Sequence, residues 1–427
     1  MINRGSDAVI KGGFHGKANM EVVYERACGI DVHKNEIVVC LITGQRKSET
    51  RKYGTLTKEL REMVTWLKAE RVQMVAMEST GSYWKPLYNI FELEEIEAMV
   101  VNPHHMKAIP GRKTDVNDAQ WIAKLLRHGL MRASFIPDKD QREYRELTRY
   151  RNSRIEERAR EINRLQKMLE GANIKLSSKI TDITGMSATN MIKLVIQEND
   201  LTIEQVDKVR SKRCNSNAEE FFDALTGIIS PLQKELFAEV LHVIDEQTHQ
   251  IERIEAMVKA YTTEQYIVAV KAIEAIPGIG WISAEQIIAE IGVDMTRFPT
   301  AHHLCSWAGL SPGDNESAGK RKSGRTRKGN KTLKKTLVQC ATSAVKNKDT
   351  FFHAQYQRLV VRKGGKKAMV AVAHSMLIAI YHVLYGCEYN DLGADYYTQF
   401  NKEKKVQSHL KQLKKLGWDP TCPAAAS

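Results

Sequence analysis

Four carboxylates in the first third of the chain fall in a fixed order. Asp31 sits in Cys28-Gly-Ile-Asp-Val-His33 and Glu78 closes the apolar run Val75-Ala-Met-Glu78. Asp115 and Asp118 lie three apart in Gly111-Arg-Lys-Thr-Asp-Val-Asn-Asp118. The first two end or interrupt runs that read as buried strands. The last two open a run that reads as a helix, where positions i and i+3 share a face. Two bare carboxylates about 5 Å apart, at an effective dielectric near 20, repel by about 3 kcal/mol. Carboxylates held near a core are costly unless a cation neutralises them. A divalent ion shared among the four would do so. Hard cations take oxygen ligands, and such ions can stabilise both the attacking and the leaving oxygen at a phosphorus atom. Arg112 and Lys113, just upstream, could instead neutralise Asp115 and Asp118 as a surface cluster. Neither that pair nor Glu78 carries the argument alone; four acids in strand, strand-end and helix context do.

A second stretch with chemical potential lies in the last third. Ser317 falls in Gly313–Gly324, which reads as a flexible Gly-rich polar loop. It adjoins a window holding Lys320, Arg321, Lys322, Arg325, Arg327, Lys328, Lys331, Lys334 and Lys335 with no acid. The chain has 64 basic and 51 acidic residues, net +13, so nine of the thirteen excess charges sit in those sixteen residues. A dense basic patch suits phosphate partners; a solvated basic loop is the alternative. A serine hydroxyl is a poor nucleophile until a base or metal assists it, but a loop among cations can bring one to a phosphate. Composition does not separate Ser317 from Ser311 or Ser323, and it leaves Glu316 either a base or a solvated charge. Ala275-Ile-Pro-Gly-Ile-Gly280 reads as a helix-hairpin-helix turn in which Gly278 and Gly280 permit the bend and free N–H groups at the next helix start can hold a phosphate. An ordinary helical hairpin fits the same letters. Tyr83 reads as a packing residue, and the adjacent pairs His104-His105 and His302-His303 make poor single metal sites.

The elements that must position these residues follow from periodicity. Ala27–Val32 and Glu36–Ile42 are a strand pair, Leu56–Glu70 an amphipathic helix, Val72–Met77 a strand, Tyr83–Glu92 a helix, Glu97–Val101 a strand and Asp115–His128 a helix. That order predicts an α/β domain with a mixed sheet. Beyond Asp138, Ile155, Ile162 and Leu169 recur at heptad spacing, as do Ile244, Ile251 and Val258, predicting two long antiparallel helices as a coiled-coil arm or dimerisation spine. A third, mainly helical domain starts near Tyr266. The expected organisation is a flexible leader (1–24), the α/β domain (25–138), the arm (139–265) with an insertion at about 171–230, a serine-bearing domain (266–390) and a basic tail (391–427). The leader lacks the apolar segment of a signal peptide, and no apolar run is expected to span a bilayer. Seven scattered cysteines without C-x-x-C spacing argue against zinc and read as reduced core thiols of a cytoplasmic protein.

As an ordered set, Gly29-Ile-Asp31, Met77-Glu-Ser-Thr-Gly-Ser-Tyr83, Val101-Asn-Pro103 and Lys113-Thr-Asp-Val-Asn-Asp-Ala119 resemble the RuvC-like DEDD domain, a ribonuclease-H-like fold, of insertion sequence 110 family transposases. Ala275-Ile-Pro-Gly-Ile-Gly280, Ala308-Gly-Leu-Ser-Pro312, Glu316-Ser-Ala-Gly319 and Lys328-Gly-Asn330 resemble that family's C-terminal domain. The resemblance implies that Asp31, Glu78, Asp115 and Asp118 bind Mg²⁺ (or Mn²⁺) and that Ser317 is the nucleophile. It further implies a homo-oligomer, dimer or tetramer, acting on donor and target DNA under the guidance of a non-coding bridge RNA. On those terms the protein rearranges DNA strands of an insertion sequence. Gly278, Gly280, Lys320, Arg321, Lys322, Arg325, Arg327, Lys328 and Lys331 are the candidate nucleic-acid contacts. A metal-dependent endonuclease or junction resolvase would need the acids but not the serine; a non-catalytic nucleic-acid-binding protein would need neither.

Overall fold

The structure is a computed structural model describing residues 21–44, 47–79, 81–102, 118–313, 315–317, 320–399 and 402–416. It divides into two compact units, Met1–Ile136 and Pro137–Ser427.

The first unit is built on one mixed sheet. Its elements are β1 (Arg26–Val32), β2 (Ile37–Thr43), β3 (Lys47–Tyr53), α1 (Thr57–Ala69), β4 (Met74–Glu78), α2 (Trp84–Leu93), β5 (Ala98–Val101) and α3 (Asp118–Arg127). The strand order is β3-β2-β1-β4-β5. The first three strands are antiparallel, and β4 and β5 continue from β1 in parallel. This mixed α/β order is consistent with a ribonuclease-H-like DEDD domain. One face carries Cys28, Ile30, Val39, Leu41 and Val75 packed against Leu60, Met63 and Leu67 of α1 and Leu87 and Phe91 of α2. The opposite face is lined by small residues and covered by α3. β3 was not expected. Its side chains from Lys47 to Lys52 are all exposed, so it is a polar edge strand whose membership rests on backbone pairing with β2 rather than on apolar alternation.

The second unit begins with α4 (Lys139–Gly171), whose N-cap Asp138 accepts the Gln141 amide. Four short helices follow: α5 (Leu176–Lys179), α6 (Met186–Gln197), α7 (Ile203–Val209) and α8 (Ala218–Leu225). The long α9 (Pro231–Tyr261), opened by a Ser230/Gln233 capping box and Pro231, returns antiparallel to α4. Tyr261 Oη donates to Glu143 Oε2 (2.8 Å) and Arg158 Nε to Thr248 Oγ1 (2.6 Å). The heptad positions are not a continuous buried seam. Leu165, Leu169, Phe237, Leu241 and Ile244 share a core with α6 and α8, whereas Ile155, Ile162 and Ile251 are only half-buried. At its start α4 buries Gln141, Tyr144, Thr148 and Arg151, so its faces are divided among several neighbours.

The chain continues through α10 (Glu264–Glu274), α11 (Trp281–Ile291), α12 (Ala301–Trp307), a hairpin of β6 (Asn315–Ser317) and β7 (Lys320–Ser323), α13 (Lys331–Ala344), α14 (Phe351–Lys363), α15 (Gly365–Leu384), α16 (Tyr396–Gln399) and α17 (Lys402–Lys415). α15 is 20 residues with a mean hydropathy of 1.5 over its best window, so among the described residues one helix is long and apolar enough to cross a bilayer, contrary to expectation. It is the centre of this unit: Ala368, Val372, Met376, Leu377 and Ile380 are buried, and it packs against α10, α12, α13 and α14. Cys28, Cys40, Cys305 and Cys340 are free and buried; Cys387 is free and exposed.

Candidate active site

Glycine at position 29 sets up the acidic site. A Cβ there would overlap the Ala119 carbonyl oxygen and the Ala123 amide nitrogen, so α3 can lie directly on β1 only because that face offers Gly29, Ala27 and Ala76. Gly29 meets Ala119 and Ala123, whereas Ala27 clusters with Ile122 and Leu126. The helix therefore runs back along the strand, and its first residue, Asp118, lies toward the strand end that carries Asp31. Strand alternation puts Asp31 on the Ala27–Gly29 face and Glu78 on the Ala76 face, which is the same side of the sheet. The parallel ladder ends at the pair Ile30 and Met77, so Asp31 and Glu78 are each the next residue on strands about 4.8 Å apart. Asp31 is 17% exposed, and its Oδ2 accepts a hydrogen bond from His33 Nε2 at 3.0 Å. His33 lies just past the end of β1, two residues from Asp31, and that spacing is the contact's only trace in the sequence. Asp118 is exposed. Among the described residues no three His, Cys, Asp or Glu side chains close to metal-ligating distance. Asp115 lies outside the described residues. The donor set, all carboxylate at the ends of adjacent parallel strands and the start of the facing helix, suits a hard divalent cation.

Ser317 is not on a loop. It is the last residue of β6, and its partner on β7 is Lys320, so it ends the first strand of a hairpin at the turn. The pairs Asn315/Ser323 and Glu316/Arg321 continue the ladder through a bulge. Short polar strands of this kind carry no hydrophobic alternation; the only sequence signal is a two-residue spacer ending in Gly319. The neck beneath the hairpin is firmly held. Gly313 N–H donates to Arg325 O (3.0 Å), Arg327 N–H to Ser311 O (3.3 Å), and Pro312 bridges Thr326. Gly309, at φ +74°, and Gly329 pack backbone to backbone, where a Cβ on either would overlap the other strand. Lys334 Nζ spans the neck to Gly309 O (3.0 Å) and Thr326 Oγ1 (2.6 Å), and burial beside Arg325 pulls its pKa down.

Arg325, Arg327, Lys328 and Lys331 are exposed around this neck; Lys320, Arg321 and Lys322 belong to β7. Gly278, at φ +87°, turns the chain between α10 and α11, and a Cβ would strike the backbone of Cys340 and Ala344 on α13. Its requirement is thus explained by helix packing. Gly280 is exposed, with open space where a Cβ would stand, at the N-cap of α11. His302 stacks near His374 (6.1 Å), whose pKa is lowered by burial and by His302, and His303 engages its own cap residue Thr300. Tyr83 is 43% exposed, less buried than a packing role implies. His104 and His105 lie outside the described residues.

A mixed sheet in this order, with acids on neighbouring strand ends, is consistent with a ribonuclease-H-like DEDD domain, and a helical unit follows it in the chain. Residues 28–174 match a DEDD family model described as Transposase, and residues 270–357 match one described as Transposase IS116/IS110/IS902 family. The "Putative transposase y4qE" of Sinorhizobium fredii is 25% identical over 332 residues, 74% of this chain and 71% of that protein. The "Insertion element IS110 uncharacterized 43.6 kDa protein" of Streptomyces coelicolor is 28% identical over 179 residues, 39% of this chain and 42% of that protein. The chain carries both domains of IS110 family transposases and is a DNA transposase.

Proposed function

We propose that this transposase cuts and rejoins DNA through a covalent serine intermediate, with Asp31, Glu78, Asp115 and Asp118 and Ser317 serving the same phosphodiester. The observation that carries the reading is the pairing of Asp31 and Glu78 on one face of adjacent parallel strands, with Asp118 opening the helix across that face. The position of Ser317 at a hairpin turn above a basic neck supports its half of the reading.

Ser317 Oγ attacks the phosphorus and the deoxyribose oxygen on the leaving side departs, taking up a proton as Ser317 gives one up. The phosphoserine diester keeps the bond energy of the broken linkage. A hydroxyl of the incoming strand then attacks, a new phosphodiester forms, and the serine oxygen leaves and regains its proton. A bound Mg²⁺ (or Mn²⁺) supplies Lewis-acid stabilisation of the charge that builds on the phosphoryl oxygens. His33 holds the Asp31 carboxylate in one orientation. Arg325, Arg327, Lys328, Lys331 and the basic β7 grip phosphates, with the start of α11 at Gly280 as a further anchor, and a homo-oligomer brings donor and target DNA together. Target choice by a non-coding RNA fits a protein whose contacts are mostly backbone-directed cations.

Strand-transfer assays on paired donor and target duplexes test this. Asp31→Asn and Glu78→Gln are expected to reduce transfer by at least about 100-fold while duplex binding persists, and chelation of divalent ions should reproduce the loss. Transfer that survives both substitutions would refute the acidic site. Hydrolytic cleavage retained in Ser317→Ala would favour the endonuclease alternative.

A further inference from the structure

Glu290, near the end of α11, is a fully buried acidic residue. Three residues from outside α11 meet its carboxylate, besides Gln286 of α11, whose Nε2 donates to Oε1 at 3.4 Å. Arg149 of α4 binds it bidentately, Nε to Oε1 at 2.6 Å and Nη2 to Oε2 at 2.8 Å. Arg145 Nε lies 3.4 Å from Oε2, and its Nη2 donates to the Glu290 carbonyl at 2.6 Å. The third partner is Asn330, whose Nδ2 donates to Glu290 Oε2 at 2.6 Å. Asn330 has a second duty: its Oδ1 accepts the Leu333 amide and so caps α13. It directly follows Gly329, where the two strands of the hairpin neck cross. One amide thus joins the base of the Ser317 hairpin, the start of α13 and a carboxylate anchored on α4.

We infer that Asn330 and Glu290 are positioning residues for strand transfer, fixing the direction in which the Ser317 hairpin leaves the domain. This rests on the reading of Ser317 as nucleophile. A buried carboxylate with a bidentate arginine is a stiff anchor, because any displacement leaves charge unpaired in a dry site. Among the described residues the neck above it is held by the backbone pairing of Gly313 with Arg325 and of Arg327 with Ser311, by glycine contacts, by Lys334 and by the Asn330 amide. A small error at the neck grows toward the hairpin tip, and a displacement of about 1 Å at a reacting atom can cost about 100-fold in rate.

The amide makes the two duties of Asn330 separable. Asn330→Asp keeps an excellent N-cap for α13 but sets a carboxylate against Glu290. It is expected to slow strand transfer by about 100-fold, to leave duplex binding within about twofold, and to speed hydrogen exchange at the amides of Glu316–Arg321 more than in α13. Combining it with Glu290→Gln swaps carboxylate and amide, restores one donor–acceptor pair, and should return transfer to within about tenfold of the parent, the coupling expected of contacting residues. Unchanged transfer and exchange in Asn330→Asp, or no recovery in the double variant, would overturn the inference. Ser317→Ala run in parallel keeps the two readings apart. Normal transfer in that variant refutes the serine nucleophile, while the exchange rates of Asn330→Asp still report whether the hairpin is held by Glu290.

Discussion

At the scale of single residues, the proposed acidic site depends on an absent side chain as much as on the acids present. Gly29 admits the backbone of α3 to van der Waals contact with β1, and Asp118 is the residue immediately before that contact. Gly29→Ala is therefore expected to lower stability by about 1–3 kcal/mol through overpacking and to reduce strand transfer as α3 is pushed off the sheet. A melting temperature and a transfer rate both equal to the parent's would contradict this. The placement of Asp31 and Glu78 on adjacent strands was legible in the sequence because each sits at or near the end of an apolar, β-branched run. Gly29 was not, since a glycine within a strand reads as local weakness until the helix that needs the space is known. The hydrogen bond from His33 to Asp31 and the buried Glu290 were missed for the same reason: each depends on a neighbour that only the fold supplies.

At the scale of elements, order and type were readable where hydrophobic periodicity was strong, as in β1, β2, α1 and α9. They were not readable where backbone pairing alone decides. The exposed β3 and the polar hairpin of β6 and β7 owe nothing to alternation, and the expected flexible loop proved to be a strand pair. The Asp138 cap, seen only in the structure, is measurable. Burial alone would raise the pKa of Asp138, but the Gln141 amide and Arg297 outweigh it and hold the carboxyl below its usual value. A carboxyl lowered on folding contributes stability above its unfolded pKa of about 3.9 and loses it as pH falls through the folded value. Asp138→Ala should cost about 1 kcal/mol at neutral pH, and the gap between variant and parent in acid titration should close below about pH 4. A gap independent of pH would refute an ionised cap. The basic neck makes its own prediction: Arg325→Gln with Arg327→Gln should flatten the salt dependence of duplex binding by about one unit of slope per lost phosphate contact. An unchanged slope would remove both arginines from the interface.

At the scale of the whole molecule, the proposed function draws different chemistry from the two units, carboxylates from the first and a hydroxyl on a braced hairpin from the second. Two family matches fall one in each half of the chain, at residues 28–174 and 270–357. A nuclease that uses water would need only the first unit's acids, so on the proposed function the second unit's hairpin would distinguish transfer from hydrolysis. The most direct measurement is to trap the reaction on duplex DNA with divalent metal present, denature, and map any protein-linked nucleotide by mass spectrometry. The account predicts a phosphodiester adduct on Ser317 that Ser317→Ala abolishes. An adduct on another residue, or strand transfer proceeding with none, would contradict it.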